Sequence, residues 1–183
     1  LIVAFDNTFL SLAFNPSTPP TPNPATGKPV THCSKRIDAL IDILSKRRDT
    51  VLIPTPCLAE LLCAVPDVSK AIEEIDRSGA FQPAPFDARC SIELADEIRK
   101  SRSNGDKKGG VKAGWSEIKF DRQIAVIAKV NGADIFYTDD QNQSEFARQI
   151  GLAVKHTWDL ELPSEYAQID FIKDNDDLSN DTA

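Results

Sequence analysis

Four carboxylates draw attention by where they stand. Asp6 follows the apolar run LIVAF, and Glu60 interrupts the otherwise apolar CLAELLCAV. Asp121 lies in IKFDRQIAVIA, and Asp140 closes ADIFYTDD. The successive gaps are 54, 61 and 19 residues. Gathered in one cleft, four like charges repel, and their pKa values rise unless a cation joins them. A hard divalent ion, Mg²⁺ or Mn²⁺, accepts oxygen ligands and keeps waters for a substrate phosphate and a nucleophile. Such a site can activate water and steady the entering and leaving oxygens of an in-line phosphodiester displacement. Taken singly, each acid has an ordinary reading. Asp6 reads as a turn residue, Glu60 and Asp121 as solvent-facing helix residues, and Asp139 or Asp140 as a helix cap.

The elements that would have to position these acids alternate. Leu1 to Phe5 suits a fully covered strand, and residues 9–14 a short helix. Ser34 to Arg48 reads as an amphipathic helix with Ile37, Leu40, Ile41 and Leu44 on one face and cations at its end. Val51 to Ile53 is the next strand; Thr55-Pro56 then starts a helix, Thr as N-cap and Pro at N1. That helix leaves Glu60 little polar face. Asp67 to Ser78 and Asp87 to about Ser101 are further helices, the second with Ala88, Ile92, Ala95 and Ile98 on one side. Between them Ala80 to Gln82 is a weak strand before Pro83.

Ile118 to Asp140 forms a helix, a stop at Asn131-Gly132 and a short strand ending in acids. Ser144 to Ile150 and Leu152 to Val154 supply a last helix and strand. Alternating strands and helices indicate an α/β fold with a mainly parallel sheet, in which chemistry collects beyond the carboxyl ends of the strands.

The totals bound the class. At 183 residues the chain suggests one domain with a real core, and no run approaches the roughly 18 apolar residues of a membrane helix. Four cysteines (33, 57, 63 and 90) form no C-x-x-C pair, which points to reduced thiols and a cytoplasmic setting. The net charge of −7 resides in residues 156–183, with eight acids and one lysine, while residues 1–155 balance at twenty of each sign. Between Arg99 and Arg122 there are eight basic residues against three acids, an arrangement compatible with a polyanion. Lys107, Lys108, Lys112, Lys119 and Arg122 are the candidates for touching it. Residues 15–29 hold six prolines and read as an extended, exposed loop. Residues 101–114 read as a basic, glycine-rich loop without the spacing of a Walker phosphate loop.

Four segments together resemble the PIN-domain family, especially its VapC-type toxin ribonucleases: IVAFDNTFL, LIPTPCLAELL, KFDRQIAVIA and ADIFYTDD. The resemblance spans about residues 1–160, with insertions at 15–32 and 101–114 and an acidic tail at 161–183. It implies a PIN-like three-layer α/β/α sandwich that hydrolyses RNA with Mg²⁺ or Mn²⁺. Asp6, Glu60, Asp121 and Asp140 would hold the metal; Thr8 and Thr138 would bring hydroxyls near it, with Asp139 beside them. The resemblance allows an antitoxin protein and a homodimer as partners, with no membrane. Two other readings use the same residues. One is a PIN-like module that binds RNA or protein without cutting. The other is a phosphoryl-transfer protein with Asp6 as nucleophile and Lys155 on the phosphate.

Overall fold

The computed structural model describes residues 1–166 apart from 16, 104, 107 and 109. The chain runs β1 (Ile2–Phe5), α1 (Asn7–Phe14), α2 (Cys33–Arg47), β2 (Thr50–Pro54), α3 (Thr55–Ala64), α4 (Val68–Ser78) and β3 (Phe81–Ala84). It continues through α5 (Ala88–Ser103), α6 (Trp115–Val130), β4 (Ile135–Tyr137), α7 (Gln141–Gln149), β5 (Ala153–Lys155) and a 3₁₀ turn at Thr157–Asp159.

The sheet order is β3-β2-β1-β4-β5, and every pairing is parallel. Central β1 is apolar because both its faces are covered: Val3, Ala4 and Phe5 are all buried. Its register sets Val3 against Val51 on one side and Ile135 on the other. The strand order runs outward from β1 to β2 and β3 on one side and from β4 to β5 on the other, so the gap between β1 and β4 is the topological switch point where α/β folds build clefts. With right-handed crossovers, α1 to α4 cover one face and α5 to α7 the other. Helix contacts agree: α1 meets α2 and α3, and α6 meets α5 and α7. Helices α3 and α6 also touch.

Local chemistry explains most boundaries. Gly132, at φ +76°, takes the left-handed turn that ends α6, after Asn131 has donated its side-chain amide to the Ile127 carbonyl. Pro83 lies in edge strand β3, where a missing N–H is tolerated. The Thr55 cap is corrected: strand runs into helix without a loop, Pro54 occupies the cap position and Thr55 is already helical. Helix α2 likewise ends at Arg47, with Arg48 turning at φ +57°.

Helix α5 is rotated from its expected face. Ile92 is 67% exposed, whereas Cys90, Leu94, Glu97 and Ser101 are buried. Burial of Glu97 is tolerated because Lys100 lies 2.8 Å and Lys129 3.8 Å from it, the latter bridging also to Glu93 on the same helix. The proline-rich stretch is largely exposed but folds back on itself. Pro22 and Pro29 form an antiparallel bridge, and the Asn23 side chain accepts the Ala25 N–H at 2.9 Å. All four cysteines are unpaired. Among the described residues, no helix is long and apolar enough to cross a membrane.

Candidate active site

Two of the four acids cap the helices that follow their strands. Asp6 Oδ1 accepts the Phe9 N–H at 2.8 Å, and Asp140 Oδ1 accepts the Gln143 N–H at 2.7 Å. The ordinary reading of Asp140 as a helix cap is therefore true, Asp6 is a cap where a turn residue is expected, and capping is also the device that aims both. A strand that ends in a capping Asp puts a carboxylate at the positive end of a helix, at a fixed height above the sheet. Since β1 and β4 are neighbours, Asp6 and Asp140 rise from adjacent strand ends.

Helices α3 and α6 bring the other two acids to the same place, as the charges record. Asp6 is 3% exposed, and burial pushes its carboxyl up from 3.8 to about 7. The Phe9 amide and the Thr138 hydroxyl pull the other way, while Asp139 and Asp140 add to the rise. The Asp121 carboxyl is pushed up to about 6, first by burial, then by Asp140, Glu117 and Glu60. Partial burial also raises Glu60. Cys57, buried at the start of α3, has its thiol raised by burial and then by Asp6, Glu60 and Asp121 together. One thiol that senses three acids from three elements shows that they share a neighbourhood.

Glu60 stands on a more open face than the sequence suggests. Ala59, Cys63 and Ala64 are exposed beside it, so α3 buries only Cys57 and Leu61. A fifth acid, Glu117, belongs to the group and was not singled out from sequence. Its signal was available: it lies four residues before Asp121 on α6, one turn up the same face.

The residues expected around the acids divide. The Thr138 hydroxyl accepts the Asp140 N–H at 3.1 Å and lies beside Asp6. Thr8 is half-buried in the first turn of α1. Asp139 points into the protein, where its two oxygens accept the Thr157 N–H at 2.8 Å and the Thr157 hydroxyl at 2.7 Å. A second tie runs through His156, whose Nε2 accepts from Arg148 at 2.9 Å. Its Nδ1–H then donates to the Thr138 carbonyl at 2.5 Å. Asp139 is thus an anchor for the acid-bearing turn. Thr157→Val strands a buried carboxylate oxygen and should lower stability by about 1–3 kcal/mol. A urea midpoint equal to wild type would remove Asp139 from this role.

The basic candidates divide too. Arg122 is buried, its guanidinium 5.0 Å from the Phe146 ring and 5.8 Å from that of Trp115. Lys108 donates to the Ala113 carbonyl at 2.9 Å and lines a cleft with Asp121 and Arg122. Lys112 and Lys119 are exposed; Lys119 is two residues from Asp121, about 200° around α6. Lys107 lies outside the described residues. Lys155 ends β5, two strands away from Asp6.

The donor set suits a hard cation, and orphaned oxygens support this. Asn7 Oδ1 and Gln143 Oε1, beside Asp6 and in the first turn after Asp140, are buried without a hydrogen-bond partner. Among the described residues, however, no three His, Cys, Asp or Glu side chains converge tightly enough to hold a metal by themselves. Mg²⁺ does not need that, because it is ordinarily held by one or two carboxylates and keeps several waters.

No family model matches the sequence, and no curated protein matches it. The structure is similar to a chain of "VapBC2 from Rickettsia felis bound to a DNA fragment from their promoter". The TM-score is 0.55 at 18% identity, over 85% of this chain and 98% of that one. The fold is PIN-like. A likeness at that identity carries the arrangement of strands and helices, while the roles of side chains rest on the geometry above.

Proposed function

We propose that this chain is an Mg²⁺- or Mn²⁺-dependent endoribonuclease of the VapC toxin kind, acting on RNA and restrained by an antitoxin protein. The observation that carries the reading is that Asp6 at the end of β1 and Asp121 on α6 are both raised, first by burial and then by neighbouring acids, Asp140 beside each of them and Glu60 of α3 beside Asp121. Like charges gathered at a switch point destabilise the protein unless a cation or substrate uses them. Asp6, Glu60, Asp121 and Asp140 would hold the cation, some directly and some through water. When bound, the cation would supply charge neutralisation for the phosphodiester and a more acidic water.

The chain's own residues supply the rest. Asp6 and Asp140 are fixed by their helix caps, so little reorganisation is needed when substrate arrives. Asp121 is half-buried and opens onto the cleft, where a carboxylate oxygen would take a proton from the attacking water. The toxin assignment is supported by the likeness to a VapBC2 chain.

Purified protein incubated with RNA and with DNA, in Mn²⁺ and in chelator, tests the reading. Internal cutting of RNA in Mn²⁺ alone is expected. The lack of a tight three-ligand set among the described residues favours a second reading, a module that binds RNA without cutting. Measured RNA affinity with no cleavage in Mn²⁺ would select it.

A further inference from the structure

The cleft beside Asp121 holds more chemistry than cation binding requires. It lies between α6 and α7 and is walled by Ile118, Asp121 and Arg122 on one side. The other wall is Asn142, Glu145, Phe146 and Gln149, spaced three, four and seven residues apart so that all share one face of α7. Because α7 is capped by Asp140, this face has a fixed offset from the acid cluster, and Asp121 belongs to both. Ile118 and Phe146 are buried and give the cleft apolar walls. Asn142, Glu145 and Gln149 are exposed, and among the described residues none of their side chains makes a hydrogen bond within the protein. Lys108 and Arg122 supply cations along the same opening.

We propose that this cleft is a base-reading subsite that takes one unstacked guanine of single-stranded RNA next to the bond to be cut. The proposal rests on the ribonuclease reading for the identity of the polymer. Single-stranded RNA is read by splaying bases out, covering their faces with apolar groups and hydrogen-bonding their edges. The Glu145 carboxylate is acceptor-only and offers two oxygens side by side. Guanine alone among the four bases presents two adjacent donors, N1–H and N2–H, on its Watson–Crick edge. Asn142 and Gln149, each with a donor and an acceptor, suit the O6 and N7 oxygen and nitrogen that remain. The cations offset the repulsion between Glu145 and the neighbouring phosphates.

The test is equilibrium binding of fluorescently labelled UUGUU, UUAUU, UUCUU and UUUUU to the full chain, followed by anisotropy. Wild type is expected to bind the guanine probe about tenfold more tightly than the others. Glu145→Gln should erase that ratio, and Asn142→Ala with Gln149→Ala should weaken the guanine probe while the other three change little. These side chains are exposed, so the variants should melt with wild type. Equal affinity for all four probes, no measurable binding, or a guanine preference that survives Glu145→Gln overturns the subsite. A guanine preference in a protein that cuts no RNA in Mn²⁺ would uphold the subsite and remove the nuclease reading.

Discussion

Asp121→Asn should reduce RNA cleavage in Mn²⁺ by about 10²-fold or more while leaving the melting temperature equal to or above that of wild type. The activity loss follows from position: Asp121 is half-buried on the wall of the cleft with Asp140, Glu117 and Glu60 near it, so it is the acid of the group best placed to meet the attacking water. Asn keeps the shape and loses the charge. The stability half follows from the cause of the raised pKa. A carboxyl lifted by burial and by other acids is unfavourable when ionised, so neutralising it relieves strain. Cleavage and thermal melting measured on the same preparation check both halves. A variant that cuts as fast as wild type would deprive Asp121 of its role; one that unfolds would make it a structural residue.

Acidification should stabilise the metal-free protein, with Asp6 as the main reason. Its folded pKa of about 7 lies above its unfolded value of 3.8, so the folded state binds a proton that the unfolded state has released. Stability therefore falls as pH rises through that window, and the loss is complete above about 7. For this fully buried group the shift corresponds to on the order of 4 kcal/mol. Asp121 acts in the same direction but more weakly, because it is only half-buried. A cation that replaces the protons should then stabilise strongly at pH 8 and little at pH 5.

Asp6→Asn separates this effect from local structure, because Asn caps a helix as well as Asp does and can still accept from Phe9. In chelator at pH 8 the variant should melt roughly 10 °C above wild type; the gap should shrink to less than half at pH 5 and close only below 3.8. Wild type that is more stable at pH 8 than at pH 5 without metal would show that Asp6 is ionised at little cost.

The parts of the fold that could be read in advance are those in which local chemistry and long-range packing agree. LIVAF is apolar on both faces because β1 is covered on both, and Asn131-Gly132 ends α6 because one residue must turn left-handed. The placement of the four acids could be read for a related reason. Each stands at an element boundary or in an apolar stretch, where a charge needs a purpose.

What escaped was long-range pairing. The buried face of α5 contains Glu97, which looks like a solvent residue until Lys129 arrives from α6, so the periodicity settled on Ile92 instead. Arg122 looked like one more cation of a basic segment. Its burial against Trp115 and Phe146 depends on α7 packing alongside. Asp139 and Asp140 are neighbours in sequence and point to different tasks, because only the end of β5 places Thr157 under the first of them. Glu117 could have been found from its spacing alone.

Calorimetric titration of Mn²⁺ into wild type, Asp6→Asn and Asp121→Asn at pH 5 and pH 8 addresses the gathering of these carboxylates most directly. Wild type should bind at pH 8, more weakly at pH 5, and each variant should lose at least about tenfold in affinity at pH 8. No heat of binding by wild type, or variants that bind Mn²⁺ as tightly as it does, would contradict the account.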